Sequence, residues 1–130
     1  MKGKDGENFM LYPVVGIVAE YNPFHKGHLL HIRRARELCG AQAAVAVLSS
    51  AFVQRGEPAL ADKWTRAEAA LACGADLVLE LPVLFSAHNA GVFANGAVDI
   101  LAAARAVTHL SFGAENTDCL TDSIIDMILV

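Results

Sequence analysis

The chain has 130 residues, 55% of them apolar, and a net charge of −4. That length suits one domain with a core of its own, and the negative balance argues against a generally basic nucleic-acid-binding surface. No apolar run approaches the ~18 residues needed to cross a bilayer, so no membrane association is expected. Residues 1–12 begin with the polar, glycine-containing stretch MKGKDGENFM, which has no apolar signal core and reads as a loose leader; residues 13–130 read as one domain. Cys39, Cys73 and Cys119 are far apart and odd in number. They suggest neither a disulfide framework nor a CxxC metal pair, and they fit a cytoplasmic location.

In chain order, Val14 to Ala19 forms an apolar run of strand length, broken at Asn22-Pro23. Leu29, Leu30, Ile32, Ala35 and Leu38 then follow helical spacing. Ala43 to Leu48 reads as a second, buried strand. Ala51 to Leu60 reads as a loop denied regular structure by Gly56 and Pro58. Asp62 caps a helix from Lys63 to Ala72, closed by Gly74. Leu77 to Leu81 is a third strand, stopped by Pro82. Ser86 is expected to cap a helix running to about Ala106, in which Gly91 and Gly96 allow either close packing or a break. Val107 to Phe112 is a fourth strand, and Thr121 or Asp122 starts a last helix.

This βαβαβαβα order predicts an α/β, Rossmann-like, doubly wound parallel sheet with right-handed crossovers. Ligands in such sheets sit beyond the carboxyl ends of the strands, where the strand order reverses. His25-Lys26-Gly27-His28 should lie where the first strand enters the first helix, a place that favours an anion. Two imidazoles three residues apart can face one phosphate, and Gly27 lets a ligand approach the backbone. Two solvated or core-satisfied histidines fit the same spacing. A metal reading of His25, His28 and His31 finds no acidic or thiol neighbour except Glu20, so no metal site is expected. The Phe112-Gly113 strand end is a candidate second wall, where glycine admits a flat base; an ordinary turn glycine fits equally.

Charge is uneven. Residues 26–66 carry a net +4 and residues 67–130 a net −7. The basic segment suits a polyphosphate or RNA, although Arg34 and Arg36 read better as the solvated face of a helix.

His25-Lys26-Gly27-His28 after a strand resembles the HxGH signature of the nucleotidyltransferase superfamily that includes class I aminoacyl-tRNA synthetases. Longer stretches narrow the likeness: Glu20 to His25, Phe52 to Ala59, Gly74 to Pro82, Asp62-Lys63-Trp64 and Phe112-Gly113-Ala114-Glu115. Together they resemble the tRNA(Met) cytidine acetate ligase family from about Val14 to Asn116.

That resemblance implies formation of acetyl-adenylate from acetate and ATP, with Mg2+, followed by acetylation of N4 of the wobble cytidine of elongator tRNA(Met). It implies an ATP-binding segment of Val18, Ala19, Glu20, Tyr21, Asn22, Pro23, Phe24, His25, Lys26, Gly27, His28, Leu29, Leu30 and His31, with Gly113 as a further nucleotide contact. His25 and His28 would be catalytic, donating hydrogen bonds to phosphate oxygens. Arg55 and Lys63 would meet substrate or RNA. The sequence departs from the family pattern at Ala51, Gly91 and Ala114. Since the family continues well past this length, the expectation is an ATP-binding portion truncated at its C-terminal side and incomplete on its own. A small-molecule adenylyltransferase of the same fold, or a non-catalytic nucleotide- or RNA-binding remnant, are the alternatives. The sequence leaves the oligomeric state open.

Overall fold

The computed structural model describes residues 12–54 and 56–112. Arg55, Gly113, Cys119 and the expected last helix lie outside them, as do residues 1–11. Four parallel strands form one sheet in the order β3-β2-β1-β4: β1 (Val14–Ala19), β2 (Ala43–Ser49), β3 (Leu77–Leu81) and β4 (His109–Ser111). The chain moves outward from β1 to β3, then returns to place β4 on the other side of β1. The order therefore reverses at β1.

Alternation along the strands builds two cores, one on each face of the sheet. Val15 and Ile17 of β1 and Ala44, Ala46 and Leu48 of β2 pack with Ile32 and Ala35 of α1 (Lys26–Cys39) and Ala70 of α2 (Lys63–Ala72). Val45 and Val47 face the other way and meet Phe93, Ala97 and Leu101 of α4 (Ala90–Ala103). Burying a side chain such as Ile32, which is 1% exposed, contributes about 2 kcal/mol. Gly16 makes room for α4 and the segment after it: a β-carbon there would come within 2.9 Å of both Leu101 and Val107.

α1 ends at Gly40, whose φ of 58° lies in the left-handed region that glycine adopts without penalty. Of the apolar positions expected on α1, Leu30 and Leu38 are 58% and 85% exposed; the buried stripe is narrower than the sequence pattern. Arg36 is also not simply solvated. It donates to Gly74 O at 2.9 Å, Gln42 O at 2.8 Å and Asp76 Oδ2 at 2.6 Å, tying α1 to the entrances of β2 and β3. Arg34 stays on the surface beside Glu37.

The helix expected from Ser86 to Ala106 is two helices. α3 (Val83–Ser86) begins directly after Pro82, and α4 is capped by Asn89, whose Oδ1 accepts the Val92 N–H at 3.0 Å. Ser86 caps nothing: its buried hydroxyl donates to Phe52 O at 3.1 Å. Gly91 and Gly96 lie inside α4 without breaking it, and Gly96 makes room for Phe85, 3.0 Å from where its β-carbon would stand. β4 is shorter than Val107 to Phe112, because only His109–Ser111 finds a partner on β1.

The 51–60 loop is more ordered than its glycine and proline suggest. Phe52 and Pro58 form an antiparallel bridge, and Val53 N–H donates to Glu57 O at 2.9 Å. Glu20 Oε2 accepts from Gln54 N–H at 3.1 Å, and Asn22 Oδ1 from Leu60 N–H at 2.6 Å. The end of β1 thus holds this loop over itself.

Candidate nucleotide site

A cleft of about 640 Å³ opens at the carboxyl end of β1. It is lined by Val18, Ala19, Glu20, Tyr21, Asn22, Pro23, His25, His28 and His31, together with Val53 and Gln54 of the loop. The sequence motif and the cavity therefore coincide over most of the segment from Val18 to His31. Phe24, Lys26, Gly27, Leu29 and Leu30 do not line it; Phe24 packs against the core and Leu30 faces solvent. Val53 and Gln54 were not singled out as site residues, because the Glu20–Gln54 bond that brings them in spans 34 positions.

The two motif histidines build the start of α1. His25 is the N-cap: its Nδ1 accepts the Gly27 N–H at 3.0 Å, while the His25 N–H donates to His28 Nδ1 at 3.2 Å. This is a reciprocal capping box made of imidazoles in place of the usual hydroxyl and carboxylate. The rings stack with centroids 3.7 Å apart. The amides of His28 and Leu29 turn back to His25 O. Few free amides therefore remain for an anion, contrary to the sequence expectation of an open helix terminus. The imidazoles take their place. With each Nδ1 occupied by an N–H donor, the neutral ring carries its proton on Nε2, so both rings present N–H donors on the side away from the backbone.

Gly27 has a different role from the one expected. A β-carbon on it would stand 2.8 Å from His25 Cε1 and 3.0 Å from Nδ1, so the missing side chain seats the His25 ring. His28 is held neutral: burial lowers its pKa, and His25 and His31 lower it further. Burial also lowers the pKa of His31. The His31 Nε2 lies 2.9 Å from Ser111 Oγ, joining α1 to the end of β4. Ser111 carried no sequence signal; pairing of β1 with β4 brings it there.

Tyr21 closes the floor. It is 1% exposed and its φ of 50° is unusual for a bulky residue. Its ring meets Phe24 edge-on at 4.7 Å and His28 at 4.8 Å. Burial, and secondarily Cys73, pushes its hydroxyl up to about 12. The Asn22–Pro23 peptide that follows is cis.

Lys63 is not brought to the cleft. Its ammonium binds both carboxylate oxygens of Glu80 at 3.0 Å and lies 5.4 Å from the Trp64 ring centre. Arg55 and Gly113 fall outside the described residues. Among those residues no three His, Cys, Asp or Glu side chains could hold a metal ion, and no helix is long and apolar enough to cross a membrane.

Comparison with known proteins gives this cleft a context. The tRNA(Met) cytidine acetate ligase of Syntrophotalea carbinolica is 58% identical over 104 residues, which are 80% of this chain and 25% of that protein. The Clostridium acetobutylicum protein of the same name is 46% identical over 117 residues, covering 90% of this chain and 29% of its own. The chain thus spans about a quarter of the length of the curated relatives it matches. The crystal structure of Thermotoga maritima TmcAL bound with alpha-thio ATP superposes with a TM-score of 0.77 at 55% identity, covering 79% of this chain and 25% of that one. The apo form gives 0.79 at 54% identity, covering 82% and 25%. The HIGH nucleotidyl transferase profile matches residues 12–129, nearly the whole chain. The chain belongs to the HIGH nucleotidyl transferase family.

Proposed function

We propose that this chain is the ATP-binding portion of a tRNA(Met) cytidine acetate ligase. The observation that carries the reading is the locked pair of His25 and His28, whose Nδ1 atoms are spent on backbone amides and whose Nε2–H groups are left as fixed donors beside the cleft. Such donors need no reorganisation when negative charge builds on a phosphate. In the first step an acetate oxygen attacks the α-phosphorus of ATP, the bond to the β-phosphate bridging oxygen breaks, and pyrophosphate leaves. His25 and His28 donate to phosphate oxygens throughout; Mg2+ bound with the nucleotide would supply counter-charge. The exocyclic amine of the tRNA cytidine then attacks the acyl carbon, and AMP leaves. No covalent intermediate with the protein is required. The unpaired Cys39 and Cys73 are compatible with a cytoplasmic setting.

Titration of ATP into the purified chain, followed by amide NMR, tests the site. Shifts concentrated at Tyr21 to His28 support it. Shifts elsewhere that spare Gly27 and His28 refute it. The chemistry is tested in the longer protein by acetate-dependent pyrophosphate exchange. Replacing His25 or His28 by alanine should slow that exchange by roughly a hundredfold, and an unchanged rate in both variants returns the pair to a purely structural role.

A further inference from the structure

We infer that Arg66 is a positioning residue that sets the shape of the cleft from behind, an inference that rests on the nucleotide reading above. Its side chain is 1% exposed and does not line the cleft. Among the described residues it forms no ion pair. It donates instead to main-chain oxygens from three segments: Nε to Ala61 O at 3.0 Å, Nη1 to Glu20 O at 2.9 Å and Ser49 O at 3.0 Å, and Nη2 to Ser50 O. Nη1 also reaches Ser49 Oγ at 3.2 Å. A buried charge is tolerated only when its donors are satisfied, and here the satisfying groups are the carbonyls at the ends of β1 and β2 and in the lead-in to α2. Burial lowers the guanidinium pKa, with Glu20, Asp62 and Glu80 acting in the opposite direction; it remains a cation at neutral pH.

The consequence reaches the histidines through one peptide. Arg66 holds the carbonyl of Glu20, which belongs to the Glu20–Tyr21 peptide. Tyr21 then adopts its left-handed φ of 50°, a conformation that a bulky residue keeps only where its surroundings impose it. That turn sends the chain from β1 into the cleft wall and lays the Tyr21 ring against His28. Lysine could not substitute fully. A planar fork with five donors spans three segments, whereas an ammonium is a single point with three.

Arg66→Lys in the 130-residue chain is the test, read by the nitrogen shifts of the His25 and His28 rings and by ATP affinity. In the wild-type chain each ring is expected as one tautomer, protonated on Nε2. In the variant the tautomers should mix, and ATP should bind about tenfold more weakly, the effect of misplacing one donor to a charged ligand. A role confined to stability would lower the melting temperature and move neither readout. A folded variant with single tautomers and ATP affinity within about twofold of wild type overturns the inference. If Arg66→Lys does not fold, Ser49→Ala replaces it. Ser49 touches the guanidinium but does not line the cleft, so ATP binding about two- to threefold weaker supports transmission through Arg66, and unchanged binding overturns it. If the wild-type chain takes up no ATP, the nucleotide reading fails, and the tautomer readout alone decides the role of Arg66.

Discussion

Replacing Gly27 by alanine separates the fold from the site. The new methyl carbon would lie 2.8 Å from His25 Cε1, whereas ordinary contact begins near 3.4 Å, so the ring must retreat by about 0.6 Å. It has little freedom to do so, because Nδ1 is bonded to the Gly27 amide at 3.0 Å and the ring face is stacked on His28 at 3.7 Å. Breaking that hydrogen bond costs about 1 kcal/mol. Alanine in place of glycine within a helix gains up to about 1 kcal/mol. The two nearly cancel, and urea unfolding should give a stability within about 1 kcal/mol of wild type. ATP binding responds differently, since one imidazole donor is displaced with nothing to compensate. Calorimetric titration should show affinity reduced about tenfold or more. Wild-type affinity in a folded variant would refute the view that Gly27 exists to seat His25. A stability loss beyond about 3 kcal/mol would show instead that the turn itself, and not the ring, needs glycine.

Stability should fall as pH drops below the ordinary histidine range. The folded-state pKa values of His28 and His31 are lowered from 6.5, so the unfolded chain takes up protons first. The contribution is complete above 6.5 and is lost as pH falls through the folded values. Thermal melts from pH 7.5 to 5 should show this, and His28→Gln should flatten the profile; an identical slope would contradict it. Arg36→Ala should destabilise the chain by about 1–2 kcal/mol in urea unfolding, since the side chain bridges three segments and is 30% exposed. An effect below 0.5 kcal/mol, typical of a surface pair, would return it to the solvated face. Gly16→Ala should cost about 1–3 kcal/mol through overpacking against Leu101 and Val107, and adding Leu101→Ala should recover part of the loss. A neutral single variant would show that α4 can move away from the sheet.

The strands and the starts of α1 and α2 were legible because local chemistry decides them. Apolar runs mark β1 to β3, and Asp62 caps α2 as expected, its Oδ1 accepting the Thr65 N–H at 2.9 Å. Ser86 misled because a serine ahead of an alanine-rich segment looks like a cap, yet Phe52, 34 positions away, claims its hydroxyl. The cleft floor from Val18 to Tyr21 and its histidines was legible from one motif. Arg66 was not: an arginine within an amphipathic helix reads as solvated, and only its place one turn before the buried Ala70 hints otherwise. Ser111 and Gln54 join the site through contacts between segments far apart in the chain, which no local pattern encodes.

The position of β4 gives the cleft a place in time as well as in space. β1 meets its first neighbour after one short crossover, but its bonds to Thr108 close a separation of 94 positions. Pairings that distant bear the largest loop-closure cost and tend to form late. During synthesis the β1 turn, α1 and the two stacked histidines can assemble once α2, which brings Arg66 to the Glu20 carbonyl, has emerged. Ser111, which meets His31, arrives about forty residues later. Hydrogen exchange on nascent or refolding chains should therefore protect the amides of β1 and β2 before those of β4, leaving an interval in which the cleft exists before His31 has its partner on β4.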